Sequence, residues 1–407
     1  MICNDCSILI ILITNNMKRI IHTLIFALSF SSLYSQFVIT NGNHVLEISS
    51  NFSGFYNYRS LNPGEVDNSK DRFKLRDAQL GLDGRVGNDF EYSLKVDFAD
   101  MAANNINTVI DPENPGLLDA NVTYKGFKWF DIKMGYGRVY YSRNAMVPFE
   151  NTAYWQAPEI TRGSIFSVRD VGVTLMKNFW KQRANVYFGA YTGLAELSVG
   201  GDNDPSGGLE YIGRADVSYP SRFRYREIDD RHTPIPMFSI GVAGRYADKT
   251  LPAGTVFPTN ATSQYGLKVI DGVRYGYAFD AAFQYMGFSG QFEIHQLKSK
   301  PHNANDPLYQ NYSLNQTNGY FLTGGYIAQI NYYIKEWKTI LSARYEEVDL
   351  NDLIAGKSKR FSPAIAYKLK GYSAMIKFQY FNIIQTESID PFNWNNQFRL
   401  GMQFQLK

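Results

Sequence analysis

The chain has 407 residues, 44% hydrophobic, 15% aromatic and 19% charged, with a formal net charge of +3 at pH 7. A mean hydropathy of -0.29 excludes a bundle of apolar membrane helices, and the near-neutral balance leaves no footprint for nucleic acid. The two cysteines, Cys3 and Cys6, stand at the extreme N-terminus, so the remaining sequence has no disulfide framework to rely on.

The first residues read as a leader. Met17-Lys18-Arg19 supplies a positive start, residues 20–30 an apolar run, and residues 31–35 a polar end, which predicts secretion and a cut between Ser35 and Gln36. Residues 1–16 lie upstream of Met17, which offers a second start codon. The expected organisation is a leader at 1–35 and one domain at 36–407. Removing the leader takes Lys18, Arg19 and Asp5 and leaves the charge close to neutral.

Downstream, polar and apolar residues alternate with the period of a β-strand. The first segment is 44–59, followed by a polar loop at 61–71 and a second segment at 72–86 that turns at Gly87-Asn88-Asp89. The third carries Phe90, Tyr92, Leu94, Val96 and Phe98 on one face, with Glu91, Ser93, Lys95 and Asp97 on the other. A long loop, 101–116, leads to the fourth, with Leu118, Ala120, Val122 and Tyr124 as its apolar face. A turn at 126–129 gives the fifth, with Phe130, Ile132, Met134 and Tyr136. Further segments flank turns near 178–182, 334–336 and 370–371, and the chain ends on the strict alternation RLGMQFQLK, where Leu400, Met402, Phe404 and Leu406 share a face.

About sixteen such segments, joined alternately by short and long connections, predict a transmembrane antiparallel β-barrel with short periplasmic turns and long outer loops. One link breaks the rhythm: 220–236 is long and charged for an inner-side turn. Aromatics near segment ends (Tyr56, Tyr58, Trp129, Phe130, Tyr332, Tyr333, Trp337) suit interfacial girdles. A sandwich or propeller also alternates. Long Tyr/Phe stripes and the lack of a blade-length repeat argue against both.

A barrel of this size leaves an aqueous channel, so its wet face is the functional one. By parity that face carries Arg85, Lys95, Lys125, Lys133, Arg214, Arg274, Arg344, Lys368, Lys377 and Arg399, with acids including Asp83, Asp97, Asp119, Asp216, Asp280 and Glu346. Mixed charge of this kind also describes a plain solvated wall. The stretch 138–169 differs: it is too long for a turn, rich in aromatics, and holds Arg138, Arg143, Arg162 and Arg169 against Glu150 and Glu159. Folded inward, this third loop would narrow the pore and attract anions; the alternative is a loop lying over the rim.

The stretch 73–97 (FKLRDAQLGLDGRVGNDFEYSLKVD), with LDANVTY at 118–124, Met134-Gly135-Tyr136-Gly137-Arg138 and Arg169-Asp170-Val171-Gly172-Val173, resembles the phosphate-selective porin O and P family. The resemblance implies a sixteen-strand trimeric outer-membrane channel with an inward third loop. It sets Arg138 where the family has a basic residue after a Gly-rich strand end, and Arg76 at one of its second-strand arginines. Asp77, Gln79, Tyr140 and the terminal Lys407 depart from the family pattern.

The expected function is a porin of the bacterial outer membrane for passive diffusion of small hydrophilic solutes, with anions such as phosphate one candidate cargo. The constriction and anion-binding candidates are Arg138, Arg143, Arg162, Arg169, Lys133, Lys95 and Arg76. Lipid and a homotrimer are the expected partners, with no nucleic acid, cofactor, metal or catalytic residue. The alternatives are a β-barrel enzyme or a substrate-specific channel for another solute. For the enzyme, His295 with Glu293 on an inward face is the one suggestive pair, without GxSxG, HExxH or a phosphate loop. In the loop GGDNDPSGG, Asp202 and Asp204 are placed to bind Ca²⁺ with backbone oxygens, although a plain flexible outer loop is the better reading.

Overall fold

Alternation becomes sheet, and the sheet closes on itself. A computed structural model describes residues 37–60, 71–99, 116–161, 168–192, 207–250, 271–305, 319–349, 352–353, 357–385 and 396–406. The leader, Arg162 and the loop with Asp202 and Asp204 lie outside these residues.

The strands are β1 (Phe37–Asn41), β2 (His44–Arg59), β3 (Asp71–Val86), β4 (Phe90–Asp97), β5 (Leu117–Tyr124) and β6 (Asp131–Arg138). After the third loop come β7 (Arg169–Phe179), β8 (Ala184–Tyr191), β9 (Glu210–Tyr219), β10 (Met237–Lys249), β11 (Gly272–Tyr285) and β12 (Phe288–Pro301). The chain closes with β13 (Phe321–Ile334), β14 (Thr339–Asp349), β15 (Ser358–Lys370), β16 (Ala374–Gln385) and β17 (Gln397–Leu406). Each of the sixteen strands β2 to β17 pairs antiparallel with its neighbours in chain order, and β17 pairs β2 to close the ring. The short β1 pairs with the first residues of β2, where β17 has already ended. Closure leaves no open edge among the barrel strands, the one way a sheet satisfies its backbone inside lipid. No helix among the described residues is long and apolar enough to cross a membrane.

The two faces differ as a lipid-bounded tube requires. On β17, Leu400, Met402, Phe404 and Leu406 are exposed on the outside while Gln397, Arg399, Gln403 and Gln405 are buried inside. On β10, Phe238, Ile240, Val242 and Tyr246 are exposed and Ser239, Arg245 and Lys249 buried. This inverts a water-soluble fold, where apolar residues go inside. Trp129, Trp180, Tyr219 and Trp337 stand exposed at the short-turn end as an aromatic girdle. Tyr332 stacks outside on Phe288, but Tyr333 is buried on the inside, because successive residues of a strand face opposite ways.

Two bulges correct the simple parity. Ser53 pairs Asp77 and Gly54 pairs Leu75, which leaves Arg76 as an extra residue and brings both Arg76 and Asp77 to the interior. Lys95 pairs Asp119 and Val96 pairs Leu117, so Leu118, expected on the apolar outer face, is the extra residue of β5 and is buried on the lumen side. A bulge re-aims side chains in this way without ending the ladder.

Candidate functional site

The described part of the third loop, 139–161, folds into the barrel. It begins with the one-turn helix α1 (Arg143–Met146), whose N-cap Ser142 accepts from the Ala145 amide, and it continues through 3₁₀ turns at Phe149–Asn151 and Glu159–Thr161. Tyr141, Ala153, Tyr154, Trp155 and Ile160 are fully buried, so the aromatic content noted in the sequence packs the loop against the inner wall.

Wall residues supply the partners that a buried loop backbone needs. Asn144 donates from its amide (2.9 Å) and its side chain (2.7 Å) to Glu293 on β12. Trp155 donates to Gln379 (2.6 Å) and to the Lys377 carbonyl (3.0 Å) on β16. The Glu159 amide donates to Glu346 (2.6 Å), Arg344 donates to the Gln156 carbonyl (2.9 Å), and Gln403 donates to the Glu150 carbonyl (2.7 Å). The loop therefore runs from the β6 and β7 ends across to β12 and on to β14–β17.

Along this buried side, several cations are paired with acids. Arg214 lies 2.6 Å from Asp280, Arg245 pairs with Glu210, and Arg360 sits 2.6 Å from Glu346 and 3.1 Å from Glu159. His295 is bound to Glu293 at 2.5 Å, and both are buried. Glu293 is engaged with Asn144, so the pair suggested by the sequence anchors the loop.

The opposite side stays open. Between the third loop and strands β2 to β7 lies a cavity with about 810 Å³ of empty space, solvent included. Its lining includes Asn51, Gln79, Leu118, Arg76, Lys95, Arg138 and Arg169, with Asp77 and Glu150 as the acids. Arg76 donates to the Trp155 carbonyl, lies 3.3 Å from Asp77 and stands 3.8 Å above the Phe149 ring. Arg138 donates to the carbonyls of Ala145 and Val147, stapling the first turn of the loop. Arg138 and Arg169 face each other across the β6–β7 ladder, and Arg169 is 3.8 Å from Asp119. The Lys95 ammonium is 3.9 Å from Glu150.

Four of the residues singled out in the sequence, Arg76, Lys95, Arg138 and Arg169, thus line one cavity. Lys133 sits next to it, its ammonium 5.5 Å from the Tyr140 ring. Arg143 does not line it: its side chain is fully buried, donates to Ser239 (3.4 Å) and the Arg224 carbonyl (3.5 Å), and lies over the Phe223 ring. Burial lowers the pKa of this guanidinium from its ordinary value. Parity alone could not find Leu118 in the lining, nor Arg76 pointing inward. For Arg76 the signal is a jump in phase, visible where apolar residues shift from Phe73 and Leu75 to Leu80 and Leu82.

The family model described as phosphate-selective porin O and P matches residues 46–211, from β2 into β9. Among solved structures, Salmonella typhi OmpF in complex with daunomycin is similar at a TM-score of 0.55 and 12% identity, covering 90% of this chain and 99% of that one. The outer membrane channel DcaP of Acinetobacter baumannii gives 0.53 and 14%, over 90% and 98%. In-vitro folded Vibrio cholerae OmpT, in its trimer form, gives 0.54 and 11%, over 89% and 99%. No curated protein matches by sequence.

Proposed function

We propose that this outer-membrane porin passes small hydrophilic solutes by passive diffusion through the cavity beside the third loop, and that it favours anions there. The supporting observation is the charge of the lining, where the four cations Arg76, Lys95, Arg138 and Arg169 outnumber the two acids Asp77 and Glu150. Fixed cations in a low-dielectric constriction lower the barrier for an anion and raise it for a cation. The chain acts as a channel rather than an enzyme, and inorganic phosphate belongs to the class of anion the site suits. A homotrimer is the proposed assembly, supported by the trimer form of the OmpT to which the barrel is similar.

Reversal potentials of the purified protein in planar bilayers under a salt gradient test the reading. A zero-current potential on the anion side and a conductance lowered by added phosphate are expected. Cation preference without phosphate block would sink the anion assignment.

A further inference from the structure

The connection between β9 and β10, 220–236, stands at the short-turn end, where the other links are tight. Connections normally run over the surface, because a buried one strands its backbone polar groups. This one turns into the barrel: Phe223, Glu227, Ile228 and Asp229 are all buried.

The wall holds it there. Ser289 and Asn331 both donate to the Glu227 carbonyl, at 2.8 and 3.0 Å. The Gly287 amide donates to Asp229 (2.9 Å), Lys368 lies 3.1 Å from Asp230, and the His232 ring is 2.9 Å from the Tyr333 carbonyl. Partners therefore come from β12, β13, β15 and the β11–β12 turn.

It also meets the third loop. Ile228 joins Ala153 and Tyr154 of that loop in one buried apolar cluster, closed by wall residues such as Tyr333 and Met375. Arg143 of the third loop donates to the Arg224 carbonyl and lies 4.8 Å above Phe223 and 5.6 Å above Tyr225. Gln291 links the two, donating to Asn144 at 2.7 Å and to Glu227 at 3.4 Å. One segment enters from the outer side and the other from the inner side, and they join in the lumen.

We propose that 220–236 is a second size-determining element of the channel. With the third loop it forms a septum along β9 to β16 that confines solute to the crescent against β2 to β7. This rests on the channel reading, and it deepens it: the exclusion limit is set by two elements acting as one wall. An unobstructed sixteen-strand barrel would leave a wide aqueous bore.

The test replaces residues 222–231 with a Gly/Ser stretch of equal length in the full chain. Folding is checked by heat-modifiable gel mobility. Single-channel conductance and liposome swelling with sugars of increasing size then read the pore. Conductance is expected to rise about twofold or more, with uptake of sugars that the parent excludes. A folded variant with unchanged conductance and size limit overturns the proposal.

A second variant guards against failure to fold. Tyr154→Cys with Ile228→Cys, probed with a short bifunctional maleimide in intact cells, should yield an intramolecular crosslink. Labelling of both thiols by a monofunctional maleimide in the folded protein, without any crosslink from the bifunctional one, also overturns it. A parent protein that conducts nothing would instead remove the channel reading on which the proposal stands.

Discussion

Arg138 and Arg143 stand on the same stretch of chain yet meet different surroundings. Arg138 borders the open cavity, and Arg143 is packed at the joint between two lumen segments. Replacing Arg138 and Arg169 with Gln should move the zero-current potential toward the cation side while the barrel still folds. Arg143→Ala should leave selectivity nearly unchanged and cost about 1–3 kcal/mol of stability, since it strands buried acceptors. Reversal potentials and the midpoint of heat-modifiable unfolding separate the two effects. Both arginines were legible as a cationic loop in the sequence. Their division of duty was not, because it depends on whether a neighbour such as Phe223, eighty residues on, arrives at the same place.

At the scale of elements, the seam between β2 and β17 closes the barrel. A Cβ on Gly401 would collide with the Gly54 carbonyl oxygen and with Phe55, whose ring packs 5.2 Å from that of Trp155. Gly401→Val should therefore abolish the heat-modifiable folded band, since backbone on the facing strand cannot swing aside. The inner segment carries a pH dependence of its own. Burial raises the pKa of Glu227, while hydrogen bonding from Gln329 and the charges of Arg344 and Lys377 work against that rise. A raised carboxyl favours the packed state below its unfolded pKa, near 4.5, and that stabilisation is lost as pH rises through the folded value. The septum should then loosen and conductance increase as pH is raised across that window, and Glu227→Gln should flatten the profile in bilayer recordings. A flat profile in the parent would contradict this. The length and charge of 220–236 marked it as unusual in the sequence; nothing local in it specified an inward fold.

For the whole molecule, the near-neutral total charge and the cationic cavity are compatible, because selectivity depends on the few charges that a solute passes. Screening gives the check: the Debye length falls from about 10 Å at 0.1 M to about 3 Å at 1 M, so anion preference should weaken over that range. Permeability ratios measured at several salt concentrations would show it, and a ratio independent of salt would point to size alone. Sequence by itself determined the class of fold, the strand count, the lipid-facing rows and the loop that bears the arginines. All of these follow from a period of two and from connection length, which are local properties. Only the tertiary structure decided that Arg76 and Leu118 turn inward at bulges, that Tyr333 is a lumen residue, and that 220–236 meets the third loop. Those outcomes depend on register and on partners far away in the chain, and a closed ring is what brings such partners to one lumen.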